Sequence, residues 1–590
     1  MLKLRNKLLI LAIITATLTR FWKISTLPYP PNGDELAFGY YGWSLLHFGT
    51  DEYGRILPLN FPSIGDFKYP ALAYLNIIPA VIFGLNEITT RFWSAISGVL
   101  LVLITYKLSK LIFKNEIAAL ASSWLVALSP WSILESRLGY ENHISMFLTT
   151  LSLTILLHIP SSIIPQLKKN KLVLISLLLL VISAFTYGAQ RIFIPLILLS
   201  IIILSYLKNS FLTKTRKISV IFFITLTLII GISLVPQGSR GRAFEEAWKG
   251  LTGDQSNRLQ ELYIQAGTSQ TRLPARLTYL FHNKYRVTTF DFLQRYSNHF
   301  SPNFLFFYGE ASTEKIPDMG LLLFIEILLL PIGLFTLFLN KNKEGALFVL
   351  TFLIFAPVAS SLTFGGPHIN RASLMIPPIA LISGLGFANI VNSFKGKTNK
   401  LALYLLALGI SGSSLFTLNQ LFIQKPMDKP WIKEQVHKEV VKEIYKIKNK
   451  YKAVAVNDDD YIYFLFYEKI SPKTFLSNSE ITPLTKDNVW ERVDRLENIY
   501  FKMPFNCPKS GKLGVLYVCS GQEVPQNSKV LNVFYFWDGV PANTFIEFYP
   551  LSKMPSKLPE LPENIYYMVD VETGLDYPDG IIPDNFPSLW

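Results

Sequence analysis

The sequence predicts an α-helical, polytopic membrane protein that ends in a small α/β domain, and three observations predict it. Half of the 590 residues are hydrophobic and only 17% are charged, more apolar than a soluble chain of this length needs to fill its core. Apolar runs long enough to cross a bilayer recur through the first 424 residues, with short Lys- and Arg-rich loops between them. After residue 424 the pattern changes to an amphipathic helix followed by alternating strands, the signature of a soluble fold. The formal net charge of +14 sits mostly in the short loops, where it reads as a topology signal rather than a nucleic-acid surface.

In chain order, the runs begin near Leu8, Arg91, Ile117, Asn142, Leu172, Ile192, Ile218, Gly320, Ala346, Ala372 and Leu401. Each is roughly 17 to 23 residues long, which predicts about eleven spanning helices. The first follows Lys3, Arg5 and Lys7 as a signal peptide would, but no small-residue cleavage site follows it, so it reads as a span. The basic loops at 107–114, 168–171, 208–217, 341–343 and 395–400 then share one face with the N-terminus, which the positive-inside rule makes cytoplasmic. A further apolar run at 69–85 would break this parity. Interrupted by Pro70 and Pro79, it reads as a re-entrant or interfacial helix, with a short genuine span as the alternative.

This topology predicts a transmembrane catalytic domain over residues 1–424, with outer loops at 23–90 and 237–318, and an extracytoplasmic α/β domain over 425–590. In the tail, a helix is expected at 431–450 and a strand at 453–456, followed by Asn457 and three aspartates, with further strands at 514–518 and 530–537. Cys507 and Cys519 have no His or Cys neighbour at zinc-site spacing; they can form one disulfide if the tail lies outside the cytoplasm. Solenoid repeats and Walker-type loops are lacking in the sequence, which argues against a nucleotide-driven pump.

The chemistry gathers in the outer set of loops. Asp34 and Glu35 stand side by side in Pro-Asn-Gly-Asp-Glu, shortly after the first span. A carboxylate there could take the proton from an acceptor as it attacks a sugar's anomeric carbon, and an inverting transfer needs only one such base. The competing reading is that Asp34 caps a surface helix starting at Glu35. Lys68, Arg91, Arg137, Arg191 and Arg371 each sit where a helix meets the outer face. Such cations can hold a donor phosphate, though any one of them could instead anchor a helix among headgroups. Glu141, His143 and His368 lie near these arginines and could orient them, bind phosphate or form ordinary interface hydrogen bonds. The aromatics Tyr285, Phe290, Phe292, Tyr296, Phe300, Phe304, Phe306, Phe307 and Tyr308 crowd the long loop, where they suit either sugar stacking or a membrane-interface belt.

Taken in order, Asp-Glu in the first outer loop, Lys-Tyr-Pro, Phe-Gly with an Arg seven residues on, Ser-Arg-x-x-x-Glu, Gln-Arg-x-Phe-x-Pro and Pro-His-x-x-Arg resemble the GT-C glycosyltransferase superfamily. The nearest branch holds the protein O-mannosyltransferases and the lipid A aminoarabinose transferase. The stretch 303–334, with Phe-Leu-Phe-Phe-Tyr-Gly-Glu, looks like prokaryotic members, and the resemblance covers about residues 1–425. It implies Asp34 as catalytic base, Lys68 at the donor phosphate and Glu141 as the later acid. The family's Lys-Pro-Pro stands here as Lys-Tyr-Pro-Ala, so the local turn differs.

The reading is therefore a plasma-membrane glycosyltransferase that moves a sugar from a polyprenyl- or dolichyl-phosphate donor to an extracytoplasmic protein, glycan or lipid. The site assignment is Asp34 and Glu35 for catalysis, with Lys68, Arg137, Glu141, His143, Arg191, His368 and Arg371 for donor phosphate and substrate. A monophosphate donor can be neutralised by Lys and Arg, so neither a metal nor any other cofactor is required. A lipid-linked-sugar flippase is the alternative from another class, for which mid-span charge is sparse apart from Glu326. An oligosaccharide transferase or polymerase would share the architecture.

Overall fold

The computed structural model describes residues 2–63, 66–159, 165–206, 216–233, 253–267, 272–310, 315–340, 342–363, 365–394, 396–428, 432, 434–457, 461–482, 492–503, 507–550 and 558–568. They divide into two compact units, Met1–Trp22 with Ser94–Leu421, and Lys23–Trp93 with Phe422–Trp590. Most of the basic loop at 208–217, the start of the loop at 237–318 and the three aspartates after Asn457 lie outside the described residues.

The first unit is helical. Each predicted apolar run falls on a helix: Leu2–Phe21, Glu87–Phe113, Glu116–Leu128, Glu141–His158, Gln166–Ala184, Gln190–Leu204, Arg216–Ser233, Glu326–Leu339, Lys343–Phe355, Ile376–Ser393 and Gly396–Asn419. Among the described residues, four helices are long and apolar enough to cross a membrane by themselves: Glu87–Phe113, Lys343–Ser361, Ser373–Ser393 and Lys400–Asp428. Glu116–Leu128 and Pro130–Arg137, bent by 51° at Ser129, are together as long and apolar as a fifth, the geometry of a broken span or of a re-entrant loop. Four of the others fall short for visible reasons: Gln190–Leu204 has 15 residues and Glu326–Leu339 has 14, while Leu2–Phe21 and Gln166–Ala184 each begin in a cluster of basic residues.

Small residues set the packing distance in this unit. A Cβ on Gly333 would strike the carbonyl of Ile382, and one on Gly386 would strike that of Leu329, so Glu326–Leu339 and Ile376–Ser393 cross with their backbones in contact. Two buried arginines tie helix ends together. Arg20 donates to the carbonyls of Val126 (3.0 Å) and Ala127 (2.9 Å), at the end of Glu116–Leu128. Arg137 donates to those of Thr19 and Trp22, both at 2.7 Å, at the end of Leu2–Phe21. Each thus supplies the cation that another helix's C-terminal carbonyls favour.

The second unit joins residues 23–93 to the tail, a different division from the one expected at 424/425. Helix Gly33–Phe48 is buried nearly all round, so it needs partners on every side. It finds them in helix Tyr461–Tyr467 and the short helices Pro70–Leu75 and Ile77–Phe83. The Tyr40 hydroxyl donates to the Ile470 carbonyl at 2.7 Å, Lys438 pairs with Glu87 at 2.6 Å, and a Cβ on Gly42 would strike the Asn76 backbone. The apolar run at 69–85 is accordingly two helices broken at Asn76, with Ile78, Val81 and Ile82 exposed on the second.

The tail forms a seven-stranded sheet in the order Ser479–Thr482, Arg492–Leu496, Ile499–Met503, Ala453–Asn457, Val515–Ser520, Pro541–Phe548, Ser528–Tyr535. Ala453–Asn457 runs parallel to both of its neighbours, and the remaining pairs are antiparallel. The amphipathic helix Glu434–Ile447 packs Val436, Val440, Val441 and Ile444 into the same core as Val454 and Phe545. Cys507 and Cys519 are joined as a disulfide.

Candidate active site

Asp34 and Glu35 occupy the first turn of Gly33–Phe48, and the cap is neither of them. Asn32 is the N-cap: its side chain accepts from Glu35 N–H at 3.0 Å, and the Glu35 carboxylate reaches back towards the Asn32 N–H in a capping box. The capping reading of Asp34 is thereby corrected. With the cap supplied two residues earlier, the Asp34 carboxylate is left beside the positive helix end.

Lys68 is brought to it by a hairpin. Phe61–Ser63 pairs antiparallel with Asp66–Lys68, Phe61 opposite Lys68, and the buried Phe61 ring lies 4.7 Å from Tyr41 on the helix. Pro70 then begins the next helix, where its missing N–H costs nothing. Lys68 Nζ stands 2.8 Å from Asp34 Oδ1, with the lysine side chain 9% exposed and the aspartate 52%. The ammonium also lies 5.6 Å from the centre of the buried Phe38 ring. This is an accessible carboxylate beside a nearly buried cation.

Glu35 is placed differently. Its carboxylate meets Arg91 through two bonds of 2.7 and 2.8 Å, with both side chains fully buried. The same guanidinium donates to the carbonyls of Ile24 (2.8 Å) and Tyr29 (3.0 Å), so the chain entering the helix is wrapped around it. Glu35 as a catalytic acid and Arg91 as a phosphate ligand are both at odds with this geometry, because a bidentate buried pair has no face turned to substrate.

Beneath the helix lie two acids that sequence reading missed, Asp51 and Glu52, both fully buried. Asp51 accepts the backbone N–H of Tyr53 (3.0 Å) and Arg55 (2.9 Å). Glu52 accepts the Tyr41 hydroxyl at 3.0 Å, and burial, then the neighbouring Asp51, pushes its carboxyl well above the usual range. They form a second adjacent Asp-Glu pair in the same loop, so the signal that singled out Asp34 and Glu35 was present here too.

In the first unit, Arg137 is committed to helix-end carbonyls as described. His143 is buried between Ser97 (2.9 Å) and Ser132 (3.3 Å). These two predicted substrate ligands are part of the helical interior instead, because helices that pack closely must satisfy their polar groups internally. Glu141 opens Glu141–His158 in its first turn. Arg191 donates to the Ala184 carbonyl at 3.1 Å and lies over the Phe185 ring. His368 and Arg371 share one loop, and the Asn142 side-chain amide donates to the Asn370 carbonyl at 3.5 Å, so the 141–143 and 368–371 segments do meet. The missed partner here is Glu310, whose Oε1 lies 2.9 Å from His368 Nδ1. It is the acid of the Tyr-Gly-Glu motif, so a signal was present without a partner to attach it to. In the aromatic loop, Phe304 and Phe306 are buried while Tyr285 and Phe290 are exposed. Among the described residues no three His, Cys, Asp or Glu side chains gather at metal-binding geometry.

A family model described as dolichyl-phosphate-mannose-protein mannosyltransferase matches residues 10–239. This chain resembles that family over the stretch carrying Asp34 and Lys68. The match agrees with the resemblance carried by the motif order and leaves His368 and Arg371 outside it. No curated protein matches the chain in sequence. Among solved structures, it is similar to the oligosaccharyltransferase AglB from Archaeoglobus fulgidus, in complex with an inhibitory peptide and a dolichol-phosphate, at 13% identity and a TM-score of 0.49. That alignment covers 79% of this chain and 64% of AglB, so the chain spans less than two thirds of the length of that protein. It is also similar to ArnT from Cupriavidus metallidurans, bound to undecaprenyl phosphate, at 11% identity and a TM-score of 0.47, covering 79% of this chain and 84% of that one.

Proposed function

We propose that the protein is a membrane glycosyltransferase that moves a sugar from a polyprenyl- or dolichyl-phosphate donor to an acceptor outside the cytoplasm. The observation that carries this is the Asp34–Lys68 pair: an accessible carboxylate 2.8 Å from a nearly buried ammonium, in the stretch that matches a dolichyl-phosphate-mannose-dependent family. In this reading Asp34 takes the proton from an acceptor hydroxyl or amine as that atom bonds to the anomeric carbon. The bond from that carbon to the phosphate oxygen breaks on the opposite face, giving inversion, and the lipid phosphate leaves with the electron pair. Lys68 turns from the carboxylate to the departing phosphate and neutralises it. In the first unit, Arg191 and Arg371 are proposed, from their place in the sequence, as cations able to bind a phosphate. Glu35 is reassigned from catalysis to positioning, holding the turn that aims Asp34.

The proposed setting is the plasma membrane, with the N-terminus cytoplasmic and the second unit outside. The Cys507–Cys519 disulfide supports that side, since disulfides persist in oxidising compartments. The proposed chemistry runs without a divalent metal. The test is release of dolichyl phosphate from dolichyl-phosphate-mannose by the purified protein in proteoliposomes, with and without EDTA. Release that survives EDTA supports the reading. Movement of the intact donor between leaflets with no bond cleavage would make the protein a transporter, and EDTA-sensitive release would bring in a metal.

A further inference from the structure

The loop 365–371 is held by more side chains than a surface turn needs. One Glu310 carboxylate takes two consecutive residues of it: Oε2 accepts the Ile369 N–H at 2.6 Å and Oε1 meets His368 Nδ1 at 2.9 Å. The His368 backbone N–H donates to Ser360 Oγ at 3.3 Å. Ser360 in turn lies 2.8 Å from His299 Nε2, while His299 Nδ1 lies 2.8 Å from the Arg295 carbonyl. Burial holds the His299 imidazole down to about 4, so the ring is neutral. A carbonyl can only accept, which puts the ring proton on Nδ1 and leaves Nε2 to accept from the Ser360 hydroxyl. The Ser360 oxygen is then free to accept from His368. Every bond in the chain has a consistent direction, running from the loop into the buried His299.

Two further bonds fix the far side of the loop: Trp131 Nε1 donates to the Ile369 carbonyl at 3.3 Å, and Asn142 to that of Asn370. Gly365 takes a positive φ of 77° and the Gly366–Pro367 bond is cis. The same loop holds Arg371, half-buried, three residues beyond His368.

We infer that Glu310 is a positioning residue for a lipid monophosphate, acting through His368 and Ile369 on the loop that presents Arg371. The inference rests on the donor class proposed above. With Glu310 accepting at Nδ1, the His368 ring is oriented so that its other nitrogen is set by the same carboxylate that fixes the backbone beside Arg371. Loss of a hydrogen bond to a charged group is worth about 1.5–3 kcal/mol, or about 10- to 100-fold in affinity.

The test is binding of dolichyl monophosphate to the full-length protein in phosphatidylcholine nanodiscs, with inorganic phosphate and phosphatidic acid as competing probes. Glu310→Gln is expected to weaken dolichyl phosphate binding by about tenfold or more, and Glu310→Asp to keep part of it. Arg371→Ala should weaken it too, and Glu310→Gln added to Arg371→Ala should cost much less than it costs alone, because both act through one contact. A purely structural Glu310 would give additive losses in the double variant, which would overturn the inference even if Glu310→Gln lowers the melting temperature. Wild-type affinity in Glu310→Gln, or competition by phosphatidic acid as effective as dolichyl phosphate, would also overturn it. If Lys68→Met abolishes binding while Glu310→Gln leaves it intact, the inference fails and the proposed donor class stands. Failure of the wild-type protein to bind dolichyl phosphate removes both.

Discussion

Two adjacent acids at the start of one helix have opposite surroundings. Asp34 is half exposed and shares one oxygen with Lys68; Glu35 is fully buried and shares both with Arg91. The helix accounts for the contrast. Successive residues are turned by about 100° around its axis, so with Asn32 as cap the Glu35 side chain folds back on the cap and Asp34 is carried to the rim. In the proposed reaction one pair serves the chemistry while the other holds the chain, and the substitutions below separate them.

The largest effect is expected at Asp34. Asp34→Asn should lower sugar transfer by about 100- to 10,000-fold, the range of a lost general base, with a smaller loss of stability than a fully buried pair would give, because the carboxylate is half exposed although Lys68 is not. Full activity in that variant would end its assignment as base. Glu35→Gln should do the reverse, costing about 3–5 kcal/mol of stability by leaving Arg91 buried without its carboxylate; denaturant unfolding of the two variants measures the contrast. If both lose stability equally, the comparison is wrong. Lys68→Met comes next, with kcat/KM for the lipid donor down by about 10- to 100-fold. An unchanged kcat/KM would put Lys68 away from the donor.

Smaller effects sharpen the structural side. Asn32→Ala should cost about 1 kcal/mol as a lost cap, read by thermal unfolding, with a fall in transfer as Asp34 loses its fixed turn. Glu52 offers a pH test. Its folded value is raised above an ordinary one of about 4.5, so above that pH the unfolded state loses its proton first and stability falls as pH rises. Glu52→Gln removes this term. The melting temperature of the variant minus that of the wild type should therefore grow between about pH 5 and pH 8, and a flat difference would mean that Glu52 is not buried as a protonated acid.

Much of this was legible before any coordinates. Local apolar periodicity placed a helix at each predicted run, the strand at 453–456 and the helix at 431–450, because those patterns are set by neighbours within a few turns. The order of Asp34 and Lys68 in one loop pointed to the pair. What could not be read were partnerships across long stretches of chain. Tyr40 meets Ile470 at a separation of 430 residues, and nothing local announces that the first loop folds with the tail. Arg137 and His143 looked like ligands because a polar residue at a helix end reads the same whether it faces substrate or a neighbouring helix.

The sequence by itself determined the apolar helices, several of them long enough to cross a membrane, the sheet-bearing tail and the candidate acids and cations, since composition and short-range spacing encode them. Only the tertiary structure decided which acid is accessible, which arginines are spent on helix carbonyls, and that Glu310 serves His368. Those outcomes depend on burial and on hydrogen-bond partners from distant segments, and both are properties of the packed chain rather than of any stretch of it.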